Sequence, residues 1–156
     1  MKRVTKGIIT LGIIAIVLIL MISKNDRPLK GPNPEDLSSI ILIDIIDEEG
    51  VQKITINQQI DINNFLDIFS HAKRTGEQSV SEFPDKTKFT AVLYKLKSSE
   101  NYSWRSMYEE NGDLYIDQPF VGIFKINSND LDMLDQIIRA GDKEEISVPI
   151  SDIRKI

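Results

Sequence analysis

The chain has 156 residues, a net charge of −5 and no cysteine. That length bounds it to one domain, and the lack of cysteine removes disulfides and thiolate metal sites. The charge is divided: residues 1–30 hold six Lys or Arg and one Asp, whereas residues 31–156 hold thirteen Lys or Arg and twenty-three Asp or Glu. An acidic body repels nucleic acid, so no nucleic-acid partner is expected.

Residues 7–23, GIITLGIIAIVLILMIS, carry no charge, and only Thr10 and Gly12 interrupt the apolar run from Ile8 to Ile22. As a helix this stretch spans roughly 25 Å, the short end of what crosses a hydrocarbon core of about 30 Å. Lys6 and Lys24 flank it and can reach outward to the headgroups. A cleaved signal peptide competes with an uncleaved anchor. Met21 and Ser23 match a small-residue cleavage site poorly, and there is no cysteine to acylate, so the stretch reads as a transmembrane anchor. Lys2, Arg3 and Lys6 precede it and Lys24, Arg27 and Lys30 follow, a near balance. A short tail is easily retained inside, so residues 1–6 are read as cytoplasmic and the domain as extracytoplasmic, on a single-pass protein of the cell membrane. Membrane lipid is thus the partner expected for residues 7–23.

Residues 24–37 read as a tether, because Pro28, Gly31, Pro32 and Pro34 deny it a helix or a ladder. The domain is expected over 38–141. Residues 40–46 are an apolar run containing Asp44, followed by Asp47-Glu48-Glu49-Gly50 and alternation through Val51, Lys53 and Thr55. This predicts a β-hairpin whose first strand is central or covered on both faces. Behind Asp61, a candidate N-cap, Ile62, Phe65, Leu66, Phe69 and Ala72 recur at helical spacing. They predict a helix over 61–74, with Lys73 and Arg74 in its last turn and Gly76 as its stop.

Residues 77–86 are a polar loop, and residues 87–96 alternate as a strand. In the next strand Tyr102, Trp104, Ser106 and Tyr108 share one face, with Arg105 and Met107 on the other. Asn111-Gly112 is the strongest turn signal in the chain. Residues 114–117 return, Pro119 breaks the ladder or sits at an edge, and residues 120–126 read as a further strand with Gly122 as a bulge. Asn127 or Ser128 caps a last helix. Its stripe is Leu131, Leu134 and Ile138, with Met133 and Ile137 alongside, and Gly141 ends it. The tail 142–156 alternates Ile146, Val148 and Ile150, a candidate edge strand. The expected class is α+β: a transmembrane helix, then a mostly antiparallel sheet in the order β-β-α-β-β-β-β-α, with two helices packed on one face.

His71 is the single histidine and has no partner motif, the carboxylates fall on loops and helix faces, and no phosphate loop, GxSxG or HExxH is present. The expectation is no enzyme, no metal and no cofactor. The aromatics leave two readings open. If helices cover the face of Trp104, its ring is core; if that face is open, it anchors a partner. Trp104, Tyr115, Gln118 and Phe120 are the candidate partner-binding residues, with the kink at Gln118-Pro119-Phe120 helping to expose them.

Three segments carry a resemblance: Ala72-Lys73-Arg74-Thr75, the stretch from Gln78 to Pro84 (QSVSEFP), and the stretch from Leu114 to Phe124 (LYIDQPFVGIF). Together, over residues 51–138, they resemble a domain-of-unknown-function family of small lipoproteins and membrane-anchored proteins of Gram-positive envelopes. The resemblance implies an extracytoplasmic envelope domain and no catalytic residues. The expected function is a membrane-anchored binding domain for an unknown protein or peptide, including immunity or sensing toward a secreted peptide or toxin. The alternatives are an enzyme acting on cell-envelope polymers and a structural accessory subunit of a membrane complex.

Overall fold

The computed structural model describes Leu29 and residues 31–46, 49–79, 88–99 and 102–146. The expected tail 1–6 and anchor 7–23 lie outside the described residues. Among the described residues no helix is long and apolar enough to cross a membrane.

The elements are β1 (Leu37–Ile46), β2 (Glu49–Ile56), α1 (Gln59–Ser70), β3 (Lys73–Arg74), β4 (Lys88–Leu96), β5 (Tyr102–Glu110), β6 (Asp113–Gln118), β7 (Gly122–Lys125), α2 (Leu131–Ala140) and β8 (Asp142–Glu145). The eight strands form one antiparallel sheet in the order β3-β7-β6-β5-β4-β1-β2-β8. The α+β class and the antiparallel sheet with two helices are therefore as expected. β1 lies inside the sheet between β2 and β4, and this accounts for its nearly unbroken apolar sequence. Its alternate residues serve two apolar surfaces: Ile40 and Leu42 join one core cluster, and Ile41 and Ile43 join another.

The larger core lies between the sheet and the helices. Phe65 and Phe69 of α1, with ring centroids 4.4 Å apart, pack with Leu134 and Ile137 of α2 against Ile54, Tyr94, Ile116 and Phe124 of the sheet. Side chains this deeply buried each contribute about 1.5–3 kcal/mol. Leu29, within the stretch read as a tether, is 2% exposed and belongs to the same core.

Several expectations need correction. The first helix ends at Ser70, not Arg74, and its N-cap position is Gln58, with Asp61 in the first turn. After His71 the chain turns, buries Ala72, and sends Lys73 and Arg74 into β3, where they pair with Lys125 and Phe124. Gly76 therefore ends no helix. The cause is long-range: the β7 backbone offers partners that a further helical turn would forgo, and Thr75 N–H donates to the Ile123 carbonyl at 3.0 Å. Phe120 and Val121 belong to a turn rather than to a strand, and Gly122 opens β7 in register with Gln118. On α2 the expected stripe stands, with Leu134 and Ile137 buried and Leu131 and Ile138 packed against the core, but Met133 faces solvent instead of lying alongside it. In the tail expected to hold an edge strand, β8 takes Asp142–Glu145, whose four exposed residues, DKEE, pair with β2, whereas Val148 and Ile150 of the expected alternation lie outside the described residues. Lys53 bonds Glu144 there at 2.8 Å, and such a charged strand deters edge-to-edge association.

Candidate functional site

Neither helix contributes to the apolar cluster on the sheet's second face. Ile43, Ala91 and Leu93 are buried there, with Ile41, Phe89, Trp104 and Ile146 packed around them. Trp104 stands opposite Leu93 on the β4–β5 ladder and is half-buried. Among the described residues no helix covers it, so of the two readings of Trp104, burial beneath the helices is not the one adopted. Further along β5, Ser106 faces Asp117 and Tyr108 faces Tyr115. The two tyrosine rings stack with centroids 5.6 Å apart.

Ser106 and Asp117 form a buried polar patch between these two aromatic ends. They are 1% and 6% exposed, and neither Ser106 Oγ nor Asp117 Oδ1 has a hydrogen-bond partner among the described residues. Burial raises the Asp117 pKa, against the hydrogen bond from Ser79, which lowers it. Tyr108 is pushed up to about 12, first by burial and then by the negative charges of Asp117, Glu110 and Glu77. On the opposite, helix-covered face, Arg105 is buried, with its guanidinium 5.2 Å from the Tyr94 ring centre and Nη1 donating to the Tyr94 hydroxyl at 3.4 Å. Burial raises Tyr94 to about 12, an effect Arg105 opposes. Sequence alternation placed Arg105 opposite to Trp104 but carried no sign that its side is the one the helices cover.

The β6–β7 turn has a different character. Val121 N–H donates to the Gln118 carbonyl at 3.0 Å, closing the turn. Phe120 takes φ 60°, a left-handed conformation that a bulky L residue adopts only under constraint. Its ring is 71% exposed, and Val121 beside it is 44% exposed. The constraint comes partly from Arg74, whose Nη2 donates to the Val121 carbonyl at 2.7 Å. Gly122, at φ 151°, makes room for that arginine: a Cβ there would lie 3.1 Å from Arg74 Nε.

The four candidate residues are thus not brought to one point. Trp104 and Tyr115 share the helix-free face, but Trp104 stands four residues, about 13 Å, along β5 from the Tyr108–Tyr115 stack. Gln118 follows the alternation of Ile116 toward the helix side, and Phe120 projects from the turn. His71 is exposed, with Nδ1 3.9 Å from Asp67 Oδ2. Among the described residues no three His, Asp or Glu side chains converge on a metal-sized site. An open cavity of about 330 Å³ lies between Lys73, Lys125 and Ser128, where Lys125 is paired with Asp113 at 2.7 Å.

A single antiparallel sheet with two helices on one face and an exposed, constrained apolar turn defines a small α+β domain protein. The chain belongs to the DUF5301 family, described as a domain of unknown function (DUF5300), whose sequence profile matches residues 23–125. Its fold is similar to the NMR structure of the protein from Ruminococcus gnavus, at 24% identity and a TM-score of 0.54, over 68% of this chain and 98% of that chain. No curated protein matches the chain.

Proposed function

We propose that this protein is an interaction domain held at the outer side of a Gram-positive cell membrane by residues 7–23, and that the β6–β7 turn contacts an envelope protein or peptide. The observation that carries the reading is Phe120: a large apolar ring, 71% exposed, on backbone that is unfavourable for it. Evolution rarely keeps such strain without a use at the same place. A ring already fixed in position loses little entropy on docking, which suits an aromatic anchor. The turn of the chain at Pro119 and the Arg74 bond hold it in place. Immunity or sensing toward a secreted peptide is one form this contact takes.

A photo-crosslinking amino acid at position 120, in intact membranes, tests it. A discrete crosslinked species at position 120, absent when the probe sits at exposed Met133, supports the reading. Equal, diffuse crosslinking at both positions overturns it. Protease added to sealed cells tests the topology separately: cleavage of the domain is expected, and its protection overturns the extracytoplasmic placement.

A further inference from the structure

Lys73 and Lys125 stand directly opposite each other on β3 and β7, at one edge of the sheet. Cross-strand partners have Cβ atoms about 5 Å apart, and like charges at that spacing oppose the pairing. Only one of the two is compensated. Lys125 Nζ meets Asp113 Oδ2 at 2.7 Å, whereas the Lys73 ammonium has no hydrogen bond or ion pair among the described residues. The pair borders the open cavity of about 330 Å³, together with Asp113, Ile126, Asn127 and Ser128. Asn127 Oδ1 accepts from the Asn129 N–H at 3.2 Å, which holds the amide in place and leaves its Nδ2 uncommitted. Ser128 is exposed, and its hydroxyl has no partner among the described residues. Two ammonium groups and two neutral donors therefore line one concavity, against a single carboxylate that already has its cation.

We propose that this cavity binds a small phosphate ester carrying hydroxyl groups. The phosphate lies between Lys73 and Lys125, and the hydroxyls face Asn127, Ser128 and Asp113. An anion between the two lysines replaces their mutual repulsion with two attractions. Phosphate has acceptor oxygens for more than one donor, and lysine holds it as a point charge. The volume is at the lower end of small-molecule sites, which leaves room for a few atoms beside the phosphate. Asp113 supplies an acceptor for a hydroxyl, which a bare anion does not need. The acidic character of the body does not forbid this. Charges farther off than about 8 Å are largely screened at physiological ionic strength, so the lysines in contact decide. A soluble ester and a lipid headgroup offer the same chemistry. The inference goes beyond the reading of the Phe120 turn and does not depend on it: the turn precedes the start of β7 at Gly122, and Lys125 closes the strand.

Amide chemical shifts of the full chain in uncharged detergent micelles test the proposal. The probes are glycerol 3-phosphate at constant ionic strength and phosphatidylglycerol mixed into the micelle. Saturating shifts at Lys73, Lys125, Asn127 and Ser128 are expected with one of them. Saturation with the soluble ester assigns a free ligand, and saturation with the lipid alone assigns a headgroup. No saturation with either overturns the proposal, as does inorganic phosphate binding as tightly as the ester. Lys73→Met is expected to weaken binding roughly tenfold with the urea midpoint unchanged, and undiminished affinity overturns the proposal. Should that variant disturb the fold, Ser128→Ala decides: roughly threefold weaker binding is expected, and unchanged binding overturns it. Crosslinking at position 120 is expected to be the same in both variants, which separates this outcome from the fate of the proposed function.

Discussion

Arg74 Nη2 and the Val121 carbonyl oxygen meet at 2.7 Å, joining a two-residue edge strand to the turn that displays Phe120. A charge-assisted bond of this kind is worth about 1.5–3 kcal/mol, comparable with the roughly 1–2 kcal/mol that a left-handed conformation costs an L residue. Arg74→Met is therefore expected to destabilise the domain by about 1–3 kcal/mol in urea unfolding and to loosen the turn. An unchanged midpoint would show that the turn holds itself.

Phe120→Gly removes the same strain from the other side. The ring makes few contacts at 71% exposure, so little packing is lost. The expected result is stabilisation of about 0.5–1 kcal/mol, the relief of the backbone less the added freedom of the unfolded glycine chain. If the ring is the docking anchor, the more stable variant also loses the partner. A variant that is destabilised contradicts the account of strain.

Arg105 and Tyr94 should differ in cost. Tyr94→Phe removes one acceptor from the guanidinium and is expected to cost about 1 kcal/mol. Arg105→Ala removes the cation over the ring, strands the buried Tyr94 hydroxyl and opens a void, so about 2–4 kcal/mol is expected. Equal losses would mean that the guanidinium acts only through that hydroxyl. Thermal or urea unfolding of the two variants measures the ranking.

Asp117 gives a pH dependence of defined sign. Its folded pKa lies above the ordinary aspartate value of 3.8 because burial disfavours the carboxylate. Stability from this group is then fully present below about 3.8 and is lost as pH rises through the folded value, since the unfolded chain releases the proton more readily. Asp117→Asn is expected to be more stable than the parent at pH 7, with the gap closing on acidification below about 3.8. Urea midpoints at a series of pH values check it, and a gap that widens toward acid would show that the carboxylate is stabilised in the fold instead.

Gly141 follows α2 with φ −66°, so left-handed backbone is not its reason for being glycine. Space is: a Cβ would sit 2.5 Å from Ile54 Cγ2 and 3.3 Å from the Thr55 carbonyl oxygen. Gly141→Ala should push α2 off β2 and cost about 1–3 kcal/mol. Little or no loss would show that the helix end slides freely.

The sequence was most legible where a local period carried the information. The apolar stripe of α1, from Ile62 to Phe69, and the turn at Asn111 and Gly112, with φ 55° and 80°, follow from nearest-neighbour chemistry. β3 was not legible: two residues hold too short a pattern, and their partner, β7, lies some fifty positions onward. The Phe120 turn was half legible. Pro119 announced a break, yet the apolar run behind it reads as strand until Gln118 and Gly122 are seen paired across the turn.

The order of the residues alone determined an α+β chain with an apolar stretch over residues 7–23, a divided charge and no cysteine, because composition and short-range periodicity are properties of the chain itself. Which sheet face the helices cover was decided only in three dimensions. Alternation marks two sides of a strand but does not say which is which, and the answer depends on where two distant helical stripes find apolar surface. That choice put Arg105 under the helices and Trp104 on the other side, and it left Phe120 standing at the turn.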